Sequence, residues 1–127
     1  MRVLLDTHII LWYFEGNERL SNKAVEMLED ENNIIFYSIA SLWEIAIKHR
    51  KNKENFPTLS ADFLHYAEKC GFHRLNIRDQ NVLEYGNLPD VHNDPFDCML
   101  VAQAKSEGMV LMTHDDMAEF GKEVLMV

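Results

Sequence analysis

Four acidic residues, Asp6, Glu44, Asp97 and Asp115, lie far apart along the chain, each within or near an apolar stretch. If a fold gathers them, the chemistry is constrained. Packed carboxylates repel one another, and a cluster without a cation must protonate some members by raising their pKa values. A hard divalent cation removes that conflict. Magnesium or manganese suits an all-oxygen site of few carboxylates and leaves coordination positions for a phosphate and a water. Such an ion polarises a phosphoryl oxygen, acidifies its bound water and holds attack in line with the leaving oxygen, which is the chemistry of phosphodiester hydrolysis.

The elements that must position these acids are legible as alternating short and long segments. Val3 to Leu5, Ile34 to Tyr37 and Met109 to Met112 are apolar runs of strand length bounded by polar residues, and Arg74 to Ile77 and Val124 to Val127 are weaker ones. Between them, Ser21 to Glu29, Ser41 to Arg50, Ser60 to Cys70 and Pro95 to Glu107 have helical length, with Gly108 placed to stop the last. This alternation predicts a three-layer α/β fold, a parallel sheet of four to five strands flanked by helices, because parallel strands need crossover connections. Ligands in such sheets bind beyond the carboxyl ends of the strands.

Asp6 directly follows the first strand, and Asp115 follows the Met109 to Met112 strand after Thr113 and His114. Helices return antiparallel to the strands they follow, so their first turns point to the same edge. That places Glu44, after Ser41, and Asp97, after Asp94, beside the other two. Each acid also has a purely structural explanation. Ser41-Leu42-Trp43-Glu44 reads as a capping box, and Asp94-Pro95-Phe96-Asp97 as an N-cap, a first-turn proline and a dipole-favoured acid. Asp6 can cap the segment after it, and Asp115 or Asp116 the short one before Phe120. Capping alone does not predict that all four converge.

Composition narrows the field further. The 127 residues suffice for one domain and one buried core. With 47% hydrophobic and 26% charged residues, neither disorder nor a membrane protein is suggested. No apolar run approaches a membrane span, and Asp6 interrupts the N-terminus where a secretion signal would be apolar, so a cytoplasmic location is expected. The two cysteines, Cys70 and Cys98, are far apart and lack zinc-site spacing. The net charge of -9 weighs against binding nucleic acid through lysine and arginine alone. A cation within the acidic cluster would offset part of that charge locally.

Taken together, these residues resemble the PIN-domain nucleases and, within them, the VapC-type toxins of type II toxin–antitoxin systems. Leu4-Leu5-Asp6-Thr7-His8 looks like that family's opening strand, and Ser38-Ile39-Ala40-Ser41-Leu42-Trp43-Glu44-Ile45 like its second acidic motif. His92-Asn93-Asp94-Pro95-Phe96-Asp97, leading into Leu100-Val101-Ala102-Gln103-Ala104, resembles the third, and Leu111-Met112-Thr113-His114-Asp115 the fourth. The motifs span nearly the whole chain. The resemblance implies cleavage of RNA by a Mg2+ (or Mn2+) site in which Asp6, Glu44, Asp97 and Asp115 are catalytic, with Asp6 and Asp97 the firmest metal ligands. It also implies homodimerisation and a small antitoxin that covers the cleft. One departure stands out: relatives often carry arginine after the third acid, where this chain has Cys98.

Other residues have weaker claims. Asp94, Asp116, Thr7 and His92 are candidates for supporting the metal ligands from behind, as are His8 and His114, each within two residues of an acid. Lys48, His49, Arg50, Lys51 and Lys53 form the one basic concentration. Lys48, Arg50 and Lys51 are candidate RNA contacts, although a helix end there attracts cations in any case. Trp12, Tyr13 and Phe14 suit base stacking or, by default, core packing. Two rival functions remain: a PIN-like scaffold that binds a protein or RNA without cutting, and phosphate transfer through an aspartyl nucleophile. The second lacks the further aspartate two residues after Asp6 that it would need.

Overall fold

The computed structural model describes residues 1–127. Five strands form one wholly parallel sheet: β1 (Arg2–Leu5), β2 (Ile34–Ser38), β3 (His73–Leu75), β4 (Val110–Thr113) and β5 (Val124–Met126), in the order β3-β2-β1-β4-β5. Six helices connect them: α1 (Thr7–Glu15), α2 (Asn22–Glu29), α3 (Ile39–Lys51), α4 (Ser60–Lys69), α5 (Asp79–Gly86) and α6 (Pro95–Glu107). The three-layer α/β architecture expected from the alternation of segments is the one observed.

Alternation of side chains across β1 divides the core in two. Val3 and Leu5 join Ile35, Tyr37 and Met112 in a layer packed with α1, α2 and α4 through Ile9, Ile10, Ala24, Leu28 and Phe63. Leu4 and Leu111 face the opposite layer, made by α6 through Leu100, Val101 and Ala104, with Met117 and Phe120 beyond β4. The α3 helix serves both layers, Ile45 in the first and Ala40 in the second. Burial on both faces explains why β1 and β4 read as unbroken apolar runs.

Two helices carry no strong sequence signature. The first, α1, holds a mixed aromatic and aliphatic run that lies against the sheet; Asp6 caps it through the His8 amide, as one of its structural explanations anticipated. The second, α5, is short, and its inward residue is a polar one, Asn81. Some boundaries and caps also differ. Strand β3 is His73–Leu75, earlier than Arg74 to Ile77. The α3 helix begins at Ile39, because the Ser38 hydroxyl at the end of β2 accepts the Ala40 amide at 3.0 Å and caps the helix three residues before Ser41. The Ser41–Glu44 capping box is therefore not formed: Ser41 is inside the helix, and Glu44 falls in its second turn. Neither Asp115 nor Asp116 caps the 3₁₀ turn at Ala118–Phe120, whose N-cap is Met117.

A polar network ties α6 to the sheet. Gln103 is fully buried, accepts the Ser38 hydroxyl and donates to the Asn76 carbonyl (3.3 Å) and the Asn81 side chain (3.4 Å). Asn81 in turn donates to Ser106 and Glu107. No buried side-chain polar atom in this network lacks a partner. Substituting Gln103→Leu keeps the volume and strands several polar groups, so it should destabilise the fold by about 2–4 kcal/mol despite its added hydrophobicity. Denaturant unfolding measures this directly.

Candidate active site

The sheet order reverses direction between β1 and β4, and at such a switch point the connections leave on opposite sides and open a crevice at the carboxyl edge. Asp6 lies in it. The ladder runs one residue beyond β1, with the Asp6 amide donating to the Met112 carbonyl at 2.9 Å, so the side chain is fixed at the mouth of the crevice. Asp6 is only 2% exposed. One carboxylate oxygen, Oδ1, accepts the His8 amide at 3.1 Å; the other, Oδ2, accepts the Thr113 hydroxyl at 2.7 Å. Thr113 ends β4, and its Oγ1 also accepts the Asp115 amide at 3.1 Å, which ties the loop after β4 to the same point.

Asp97 reaches the crevice from α6. Asp94 caps that helix by accepting the Phe96 and Asp97 amides at 2.8 and 3.3 Å, and Pro95 occupies its first turn, as the sequence suggested. These contacts hold Asp97 three residues into the helix. Its Oδ2 lies 2.9 Å from His92 Nε2. His92 is itself fastened: its carbonyl accepts the Cys98 thiol at 3.4 Å, and its ring meets Phe120 edge-on. Cys98, standing where relatives often have arginine, is buried.

Electrostatics show how close the acids are. Burial pushes the Asp97 carboxyl up to about 6, opposed by the His92 contact and reinforced by the negative charges of Asp6, Asp94 and Asp115. Burial likewise raises Asp6, against the bonds from Thr113 and His8, with Asp115 adding repulsion. Both carboxyls hold a proton more tightly than an ordinary aspartate, and beside the Thr113 hydroxyl only His8 and His92 lessen that rise. One ligand atom each from Asp6, His8 and Asp115 can be chosen within 4.8 Å of one another.

Glu44 behaves differently. It is buried, but its Oε2 pairs with Lys48 at 2.9 Å, and it is not among the charges pressing on Asp6 or Asp97. It is nonetheless linked to α1 from one turn away, where the Thr7 hydroxyl donates to Ser41 Oγ at 2.8 Å. Lys48, engaged by Glu44, is not a free cation, whereas Arg50 and Lys51 extend the same helix end. Asp116 makes no side-chain hydrogen bond. The nearness of His8 to the acids is clearer here than in the sequence, where only its place two residues after Asp6 pointed to it.

The donor set fits a divalent cation. Asp6, Asp97 and Asp115 offer oxygen ligands whose mutual repulsion no lysine or arginine offsets, and two of them hold protons more tightly than ordinary aspartates.

Comparisons with known proteins agree with this fold. No curated protein sequence is similar enough to match. A chain of the crystal structure of VapBC2 from Rickettsia felis, bound to a DNA fragment from their promoter, superposes with a TM-score of 0.73 at 16% identity, covering 100% of this chain and 98% of that one. VapBC-5 from Mycobacterium tuberculosis gives 0.64 at 12% identity, with 99% and 97% covered. VapBC-1 from nontypeable Haemophilus influenzae gives 0.62 at 19%, with 91% and 87% covered. At these identities the likeness is one of fold. Residues 3–121, from the start of β1 to the turn before β5, match the PIN domain, and the chain belongs to that family.

Proposed function

We propose that this PIN domain is a magnesium- or manganese-dependent ribonuclease and the toxin of a VapC-type toxin–antitoxin pair. The observation that carries the reading is the convergence of Asp6, Asp97 and Asp115, from three separate segments, on the β1–β4 crevice, with no lysine or arginine among the charges acting on Asp6 and Asp97. Asp6 and Asp97 would hold the cation, with Asp115 and Glu44 completing the set. When bound, the cation supplies Lewis-acid polarisation of a phosphodiester and a more acidic water.

The chain's own residues prepare that site. Thr113 and the His8 amide each hold one oxygen of Asp6, fixing the plane of the carboxylate. His92 takes Oδ2 of Asp97 and leaves Oδ1 free. Asp94 sets the start of α6, and Thr7 couples α1 to α3. Asp116, beside Asp115, is a further support from behind. Arg50 and Lys51, and Lys48 if released by Glu44, would meet the RNA backbone. The three solved structures described above are VapBC structures, which supports a small antitoxin as partner. A homodimer, a cytoplasmic site of action and a single-domain chain complete the proposal; no helix is long and apolar enough to cross a membrane.

Incubating the purified protein with structured RNA tests the activity. Cleavage should require Mg2+ or Mn2+ and stop on chelation; absence of both cleavage and metal binding would indicate a scaffold that does not cut. Asp6→Asn and Asp97→Asn should each reduce turnover by more than about 100-fold, beyond the loss of an outer partner, with the circular dichroism unchanged. Near-normal turnover in both would refute the assignment. Thr113→Val, which keeps shape but loses the hydroxyl, should weaken metal affinity by about 10- to 100-fold, with activity recovering at high metal.

A stability measurement reports on the same site without metal. Because the folded state raises Asp97 from 3.8 to about 6, its contribution is fully present below 3.8 and is lost as pH rises through about 6. In chelator, Asp97→Asn should therefore match the parent at about pH 4 and exceed it by about 1–2 kcal/mol at about pH 8, a value kept small by partial solvent screening. A variant less stable than the parent at the higher pH would contradict the repulsion inferred here.

A further inference from the structure

We propose that an RNA strand leaves the acidic crevice across the indole of Trp12, with Arg19 contacting a backbone phosphate and His8 and His114 flanking the ring. This rests on the ribonuclease reading and adds a strand-binding surface that the carboxylates do not supply. Trp12 is half-buried, packed on one side against the core layer beneath β1. Three groups lie around the ring, which stays partly exposed. His8, one helical turn earlier, stacks with ring centroids 6.0 Å apart and planes at 23°. His114, just after β4, meets it edge-on at 5.0 Å. The Arg19 guanidinium, from the loop after α1, lies 5.9 Å from the ring centroid.

Position and charge point to a nucleic acid. His8 has a ring nitrogen within 4.8 Å of ligand atoms of both Asp6 and Asp115, so the platform begins where the carboxylate cluster ends. From Asp6 to Trp12 is about 9 Å along the axis of α1. Arg78 pairs with Glu107, Arg2 donates to the Glu107 carbonyl and Arg74 to the Tyr37 hydroxyl, whereas Arg19, like Arg50, makes no side-chain hydrogen bond or ion pair. Of these two, Arg19 is the one set over an aromatic ring, as Arg2 is over Phe36. The basic run at the end of α3 is partly committed, since Lys48 pairs with Glu44. In a chain of net charge -9, an unpaired guanidinium over an indole beside the crevice is the local exception. Single-stranded RNA is held by this combination: bases stack on aromatic rings and guanidinium planes, while arginine takes phosphate.

The chain has two tryptophans, so Trp43→Phe leaves Trp12 as the sole indole and a direct optical probe. In that background, with Asp6→Asn added to prevent cutting, a single-stranded oligouridylate of about ten nucleotides should quench Trp12 emission saturably. Arg19→Ala should raise Kd by about 5- to 100-fold and reduce the slope of log K against log salt by about 0.7, the share of one phosphate contact. Arg19 is exposed, so this variant should fold as the parent does. With Asp6 intact, Arg19→Ala should raise KM for RNA and leave kcat within about twofold. Binding and cleavage of RNA with Trp12 emission, salt slope and KM all unmoved would overturn the platform while sparing the ribonuclease reading. Saturable quenching without cleavage by the Asp6 protein would keep the platform and sink that reading. Failure to bind RNA at all would overturn both, and would leave this surface to a protein partner.

Discussion

Asp6 is a carboxylate with almost no access to water, held at the one place in the sheet where neighbouring connections part. Its backbone cannot move away, because the amide extends the β1–β4 ladder by one step to the Met112 carbonyl. Its side chain cannot turn away either, because the Thr113 hydroxyl and the His8 amide grip one oxygen each. Those two bonds lessen the cost of burial without cancelling it, and Asp97 and Asp115 bring further negative charge to the same point. A buried carboxylate held this firmly amid like charges favours something positive in the crevice.

The rest of the architecture serves that position. Two apolar layers hold the sheet: one sets α1 on one side, the other sets α6 on the opposite side, and α3 reaches both. The Gln103 network then locks α6 to the end of β2, and hence to the start of α3, so the helices that carry Asp97 and Glu44 share an anchor. The acids are not equivalent. Asp6 and Asp97 have no lysine or arginine partner, whereas Glu44 is paired with Lys48.

Much of this was legible in the sequence, for physical reasons specific to each element. Strands β1 and β4 are buried on both faces, so their apolar runs were unbroken and Asp6 and Asp115 stood out at their ends. Helix α6 carried its own punctuation: Asp94 as cap, Pro95 in the first turn, Gly108 in the left-handed conformation at its end. Helix α1 was obscured because its run Ile9 to Phe14 is apolar on most sides, which gives no clear period, and α5 because its inward position is the polar Asn81. The start of α3 was displaced because Ser38 and Ser41 are both good caps. Only the end of β2 decides between them, and it frees Ser41 to meet Thr7. The pairings Glu44–Lys48, Asp97–His92 and Asp6–Thr113 depend on rotamers and approach distances that residue order does not encode, although each partner was adjacent to a recognised motif.

The central claim is that the crevice carboxylates are arranged for a divalent cation. Calorimetric titration of Mn2+ into metal-stripped protein at about pH 6, in two buffers of different ionisation enthalpy, tests it most directly. Saturable binding that releases a fraction of a proton is expected, because the ion displaces the proton Asp97 holds near that pH, with loss of that binding when Asp6 is replaced by asparagine. Absence of binding at millimolar Mn2+, or binding undiminished by the replacement, would contradict it.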